Sequence, residues 1–243
     1  MLMGLKRKLE DYRELKVVRG VFDEYTLLTM YELLNKNKIH VQSLIKEGKE
    51  SVILSGLMKG VEWVAIKVYR TKACDFKAMW RYLIGDPRFK NMKKKRHFVV
   101  HLWCRREFDN LKIAKTAGID CPEPLFFKKN VLIMSFIGKN GIPAPRLIDI
   151  EPQNPERIYK TCLKNLERLV KVGLVHGDLS PYNILLFRKP YFIDFSHSTT
   201  LKSQIALELL KRDIKNLNAY FSKLNVPVKD SEVIYESLIE LVE

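Results

Sequence analysis

Apolar residues Leu27, Leu28, Met30, Tyr31, Leu33 and Leu34 recur at helical spacing, and Thr26 ahead of them reads as the N-cap. Two strand-like segments follow. Residues 43–54 contain Gly48, and residues 61–69 (V-E-W-V-A-I-K-V-Y) are β-branched and aromatic and apolar on both faces, as in a covered strand. Residues 56–60, bounded by glycines, predict the hairpin turn between them. Residues 85–95, with Pro87 and a run of lysines, predict a mobile loop, 101–116 a helix, and 125–128 and 131–136 two short strands. The order strand, strand, helix, strand, strand has too few parallel crossovers for a doubly wound sheet. It fits a small α+β lobe built on an antiparallel sheet.

Residues 138–145 are rich in Gly and Pro and predict a linker at a lobe boundary. Beyond it, 154–173 reads as a helix with Leu163, Leu166, Leu169 and Val170 on one face, and 201–224 and 230–243 as two more helices. The expected division is therefore an N-terminal helical extension (1–40), an N-lobe (41–137) and a C-lobe (138–243). The 243 residues, 47% hydrophobic and 29% charged, exclude wholesale disorder and suffice for a core without staples. No apolar run approaches the ~20 residues of a membrane span; the longest, 131–137, is interrupted by Ser135. Residues 1–14 are charged throughout and lack the apolar core of a signal peptide, so a cytoplasmic location and no membrane partner are expected. Cys74, Cys104, Cys121 and Cys162 form no C-x-x-C pair, which argues for reduced thiols and against zinc.

Charge narrows the picture. Lys and Arg number 43 and Asp and Glu 28, a net +15 that favours polyanions such as nucleic acid or nucleotide. Between 88 and 106 stand Arg88, Lys90, Lys93, Lys94, Lys95, Arg96, Arg105 and Arg106 with no acid among them; a solvated loop and helix face is the bland reading of that stretch. The densest chemistry lies in L-V-H-G-D-L-S-P-Y-N-I-L-L from Leu174, followed by Y-F-I-D-F from Tyr191. Asn183 precedes one apolar strand and Asp194 ends another, so with Asp178 they place two carboxylates and an amide at the ends of adjacent strands. Magnesium takes oxygen ligands, one or two from protein beside phosphate and water, which suits Asn183 and Asp194. Asp178 suits accepting a proton from a hydroxyl or water. Taken singly, each of the three is as well explained by capping of a turn; their joint spacing is not. Lys67 lies inside the apolar strand, opposite Val64, Ile66 and Val68 and on the face of Trp63 and Ala65. It is either an exposed edge lysine or a charge needing an anionic partner, Glu107 or a phosphate. Gly48, Lys49, Glu50 and Ser51 form a single-glycine loop ahead of that strand, a weak phosphate signal that is not a Walker A sequence.

In chain order these are the parts of a protein kinase: glycine loop, strand lysine, helix glutamate, catalytic aspartate, downstream asparagine and metal aspartate. The departures matter equally. His-Gly-Asp stands for His-Arg-Asp and Asp-Phe-Ser for Asp-Phe-Gly, only 49 residues follow Asp194, and no Ala-Pro-Glu occurs. With V-F-D-E-Y-T-L-L from Val21, G-K-E-S from Gly48, V-A-I-K-V-Y from Val64, P-E-P from Pro122, V-L-I-M-S-F-I-G-K from Val131, P-A-P-R-L from Pro143 and L-K-R-D-I-K-N-L-N from Leu210, the chain resembles the RIO family of atypical protein kinases, in its Rio-one-like branch, over about 21–226.

That resemblance implies a two-lobed, protein-kinase-like α+β fold with a truncated C-terminal lobe, lacking the activation segment and peptide-docking helices. It implies ATP and Mg2+ (or Mn2+) as ligands. Backbone groups of Ser135 and Ile137 would meet adenine, with Met134 behind them, and Lys67 would contact phosphates while paired with Glu107. Asp178 would accept the proton, and Asn183 and Asp194 would hold the metal. It further implies that Asp194 accepts phosphate as an aspartyl-phosphate during ATP hydrolysis, that the basic loop matches the family's flexible loop, and that the partner is the small ribosomal subunit precursor or its rRNA. The protein substrate is left open. Val52 stands where the family often has Asn or Asp, and the 85–96 loop has no Ser or Thr, leaving Thr71 and Ser51 as the nearest hydroxyls for autophosphorylation. The expectation is an ATP-dependent RIO-type serine/threonine kinase or ATPase. The alternatives are a small-molecule phosphotransferase of the aminoglycoside or choline type, or a ribosome-binding assembly factor with a vestigial nucleotide site.

Overall fold

The computed structural model describes residues 22–89 and 95–242. The 1–21 lead-in and Lys90, Lys93 and Lys94 of the basic stretch lie outside the described residues. The chain forms two compact units, one within 1–79, 93–105 and 124–143, the other within 80–92, 106–123 and 144–243. The division is interleaved rather than consecutive, because the two helices ahead of Pro124 each contribute to both units.

The first unit is a sheet carrying one helix. Helix α1 (Glu24–Lys36) begins one turn earlier than its apolar pattern indicated, because Asp23 and not Thr26 is the N-cap: its carboxylate accepts from Thr26 N at 2.8 Å. Leu27, Met30, Leu33 and Leu34 project from one face of α1 into a core shared with Val52, Leu54, Val64, Ile66, Val68, Val131 and Ile133. Beneath it lie β1 (Ile39–Glu47), β2 (Ser51–Met58), β3 (Glu62–Tyr69), β4 (Pro124–Lys128) and β5 (Val131–Ser135), antiparallel throughout in the order β1-β2-β3-β5-β4. The predicted strand 43–54 is in fact the end of β1, a bend at Gly48 and the start of β2. The predicted turn at 56–60 shifts to Lys59 and Gly60, both with positive φ. Gly56 is a buried strand residue; a Cβ there would lie 2.9 Å from both Ile39 Cγ2 and Ile66 Cδ1, so its glycine serves side-chain passage, not a turn. The predicted linker contains a short hairpin, β6 (Gly138–Lys139) with β7 (Ile142–Pro143), and the division between the units falls within it, after Pro143.

Helices α2 (Phe76–Ile84) and α3 (Arg96–Thr116) precede β4. Helix α3 starts five residues before the predicted 101, since Val99 and Val100 are buried beside a basic run that hid their periodicity. The second unit centres on α4 (Pro155–Lys171), capped by Asn154 with proline in its first turn, and α5 (Ala206–Lys223). Ile158, Cys162, Leu166 and Leu169 of α4 and Leu210, Ile214, Leu217 and Phe221 of α5 are buried. Strand β8 (Leu174–Val175) pairs with β11 (Thr199–Thr200), and β9 (Ile184–Phe187) with β10 (Lys189–Phe192). Asp230 caps the last helix, α6 (Ser231–Ile239). The four cysteines are buried free thiols. No helix of the described residues is long and apolar enough to cross a membrane.

Candidate active site

In the sheet unit, strand alternation sorts the predicted residues onto one surface. Val64, Ile66 and Val68 point into the α1 core, so Lys67 must point the other way. Directly paired residues share a face, which places Ile53 and Leu132 beside Lys67, Met134 beside Ala65, and Ser51 beside Tyr69. On that face Ile53, Leu132, Ala65 and Met134 lie around the Lys67 ammonium group. Lys67 is only 3% exposed on a strand with neighbours on both sides, so the edge-lysine alternative is excluded; its Nζ lies 5.1 Å from the centre of the Tyr69 ring. Met134 is buried, Ser135 ends β5, and Ile137 follows two residues later. Gly48, Lys49 and Glu50 form the bend before Ser51, closed by a 2.9 Å bond from Gly48 N to Ser51 O.

In the helical unit, the backbone ties the catalytic candidates together. Asn183 ends the 3-10 turn Pro181–Asn183 and enters β9. Its Nδ2 donates to the Asp178 carbonyl at 2.8 Å and to the Asp178 carboxylate at 2.9 Å, while its own carbonyl accepts from Ile193 N at 3.0 Å. Asp178, Asn183 and the residue before Asp194 are therefore linked. Because the amide nitrogen is committed to Asp178, Oδ1 is the Asn183 atom suited to a hard cation, and Asp194 supplies carboxylate oxygen; the donor set fits magnesium. Asp194 carries φ 64° and ψ 66°, and its Oδ1 accepts from Ser196 Oγ at 2.7 Å. Burial pushes the Asp178 carboxyl above the usual range. His197 opposes the rise, the nearby Asp194 charge adds to it, and the Asn183 bond and Arg212 also oppose it. Glu107 is fully buried on α3 in this unit.

Several residues that hold this loop were not singled out from the sequence. Asp213 on α5 accepts from Gly177 N at 2.7 Å and Leu179 N at 2.8 Å, the two amides flanking Asp178. Arg212 donates to the Gly177 carbonyl and Asn216 to the Leu179 carbonyl at 3.0 Å. Burial raises the Asp213 carboxyl to about 7 despite those two amides and Arg212. Buried His176 lies 3.1 Å from the Ile193 carbonyl through Nε2 and accepts from Asp178 N through Nδ1 at 3.4 Å, so its proton sits on Nε2. Gly177 has φ +79°, and a Cβ there would stand 2.7 Å from the His197 carbonyl oxygen, which is why no side chain occupies the middle of His-Gly-Asp here. The only sequence signal for this support was the L-K-R-D-I-K-N-L-N segment, which carries Arg212, Asp213 and Asn216 but spaces them over thirty residues from the loop they hold.

With this geometry in view, the chain matches the RIO domain over residues 52–234. It is 39% identical over 225 residues to the RIO-type serine/threonine-protein kinase Rio1 of Methanocaldococcus jannaschii, covering 91% of this chain and 77% of that protein. It is 35% identical over 235 residues to the Rio1 kinase of Haloferax volcanii, covering 95% and 80%. Among solved structures, the Rio2 kinase of Chaetomium thermophilum, determined as an ADP/Mg2+-phosphoaspartate complex, superimposes with a TM-score of 0.67 at 20% identity, over 86% of this chain and 65% of that one. The mixed α+β fold is thus kinase-like, and the chain belongs to the RIO family of atypical serine/threonine protein kinases.

Proposed function

We propose that this chain binds ATP with Mg2+ and transfers its terminal phosphoryl group, to a protein hydroxyl or to water. The observation that carries the reading is the commitment of Asn183 Nδ2 to Asp178, which makes the amide oxygen the Asn183 atom suited to a cation, beside a carboxyl whose raised pKa reflects burial first and the nearby Asp194 charge as well. The bound Mg2+ would supply charge neutralisation on phosphate oxygens. Asp178 orients the attacking hydroxyl or water and accepts its proton. Lys67 neutralises phosphate charge, paired with Glu107 as the strand-lysine and helix-glutamate order of the kinase motifs implies. The Lys67 face, with Met134 and the backbone of Ser135 and Ile137 beyond it, takes the adenine end, and Gly48, Lys49, Glu50 and Ser51 cover the phosphates. In the hydrolytic branch, an Asp194 oxygen takes the phosphoryl group as ADP departs, and water then returns the carboxylate and inorganic phosphate. This matches the phosphoaspartate in the name of the Rio2 complex. The +15 charge supports a partner of the rRNA or small-subunit-precursor kind, met in the cytoplasm.

Purified chain should convert ATP in a Mg2+-dependent way. Asp178→Ala should lower turnover by 10²-fold or more, on the order expected for loss of a general base, with nucleotide affinity within about threefold. Lys67→Ala should weaken nucleotide binding, and Asp194→Ala should abolish ATP hydrolysis. Wild-type turnover in Asp178→Ala, measured by ADP release, would refute the role given to that residue.

A further inference from the structure

The turn that follows Asp194 is held from outside by two side chains of α3. Arg106 and Asn110 lie four residues apart and so project from one face of the helix. Arg106 donates to the Ser198 carbonyl through Nε at 3.1 Å and Nη2 at 2.9 Å. Asn110 Nδ2 donates to the same carbonyl at 2.8 Å and to the Phe195 carbonyl at 2.9 Å. Phe195 and Ser198 bracket the turn whose first side-chain contact is Ser196 Oγ on Asp194 Oδ1. On the other side of Asp194, the Ile193 carbonyl is engaged by His176. Arg106 is fully buried and is itself fixed: Asp86, also fully buried, lies 3.6 Å away, and Arg88 binds the same carboxylate at 2.6 Å. The Tyr82 ring lies 5.5 Å from the Arg106 guanidinium carbon. A buried guanidinium and a buried amide spent on two carbonyls serve no packing need that apolar side chains could not meet.

We infer that Arg106 and Asn110 are positioning residues for Asp194: by holding the Phe195 and Ser198 carbonyls, they keep the Asp194 backbone in its left-handed conformation and aim the carboxylate at the metal. Asp86 acts one step further out, by fixing the Arg106 guanidinium. The inference rests on the reading of Asp194 as a metal residue. Without the two donors, the turn relaxes, and the carboxylate leaves its place while the surface that binds the nucleoside stays as it was. A merely structural role would instead weaken metal and nucleotide binding together, or neither.

The test is a titration of the purified chain with Mn2+, read by electron paramagnetic resonance in the presence of ADP, beside ADP binding without metal. Asn110→Ala should lower Mn2+ affinity about tenfold and leave metal-free ADP affinity within twofold. Arg106→Lys keeps the charge facing Asp86 and one donor for Ser198, so its Mn2+ affinity should fall by only about two- to fourfold. If Asn110→Ala fails to fold, Arg106→Lys decides: a fall in that range supports the inference, and none overturns it. Unchanged Mn2+ affinity in a folded Asn110→Ala, or an equal loss of metal-free ADP binding, also overturns it. A wild-type chain that takes up no Mn2+ with ADP would refute the metal reading itself, an outcome separable from failure of the clamp alone.

Discussion

At φ 64° and ψ 66°, the Asp194 backbone sits where an L residue with a Cβ loses roughly 1–2 kcal/mol, and where Asp and Asn are better tolerated than most because their short polar side chains bond locally. Ser196 Oγ supplies such a bond to Oδ1. Strain at one residue persists only when its surroundings over-determine it, and here the flanking carbonyls at 193, 195 and 198 are all engaged. Removing the charge and removing the polar group should therefore differ. Asp194→Asn and Asp194→Ala both lose the carboxylate and its repulsion of Asp178, but only the amide can still accept from Ser196 and suit the left-handed backbone. The Asn variant should be the more stable by about 1–2 kcal/mol in denaturant unfolding. Equal midpoints, or a more stable Ala variant, would mean that the backbone there carries no strain.

Helix α5 holds the Asp178 loop through Arg212, Asp213 and Asn216, and burial moves the pKa of the Asp213 carboxyl far. Asp213 satisfies the amides on either side of Asp178, yet burial raises it from 3.8 to about 7. A carboxyl whose folded pKa is raised stabilises the fold below pH 3.8, and that contribution is lost as pH climbs through about 7, up to roughly 4 kcal/mol for a shift of this size. Asp178, raised for the same reason, adds in the same direction. Asp213→Asn should be less stable overall, because an amide offers one acceptor where two are used, but its stability should decline less between pH 4 and 7. Urea unfolding at several pH values reads both slopes, and parallel slopes would reject the raised value. Elements also show where sequence reasoning reached and where it stopped. The link of Asp178 to Asn183, and of Asn183 to the residue before Asp194, was legible because strand-flanked polar residues within twenty positions have few ways to lie apart. Arg106, Asn110 and Asp213 were not, because their partners stand 92, 88 and 34–36 residues away and meet only once the helices have packed. Element edges slipped for local reasons. Asp23 outcompeted Thr26 as a cap, and Gly56 marked a crowded strand rather than a turn. The direction of Lys67 was legible in the parity of its strand.

Over the whole molecule, the 43 basic residues outnumber the 28 acidic ones, and the excess includes the acid-free stretch 88–106, so the charge that would draw a polyanion is not confined to the nucleotide-site residues. The two therefore separate experimentally. Binding of a single-stranded rRNA segment through about six phosphates would release counterions and give a slope near −4 in log affinity against log salt, a loss on the order of 10²-fold between 50 and 200 mM. Asp178→Ala changes the net charge by one and touches no distant basic residue, so it should bind the RNA as the wild type does, with the same slope, while failing to turn over ATP. Fluorescence anisotropy on a labelled RNA at four salt concentrations measures both quantities. A flat salt response would take RNA out of the partner list and leave the charge to act on other acidic partners. A steep response that vanished in Asp178→Ala would instead place the RNA in the active site, where its phosphates would compete with those of ATP.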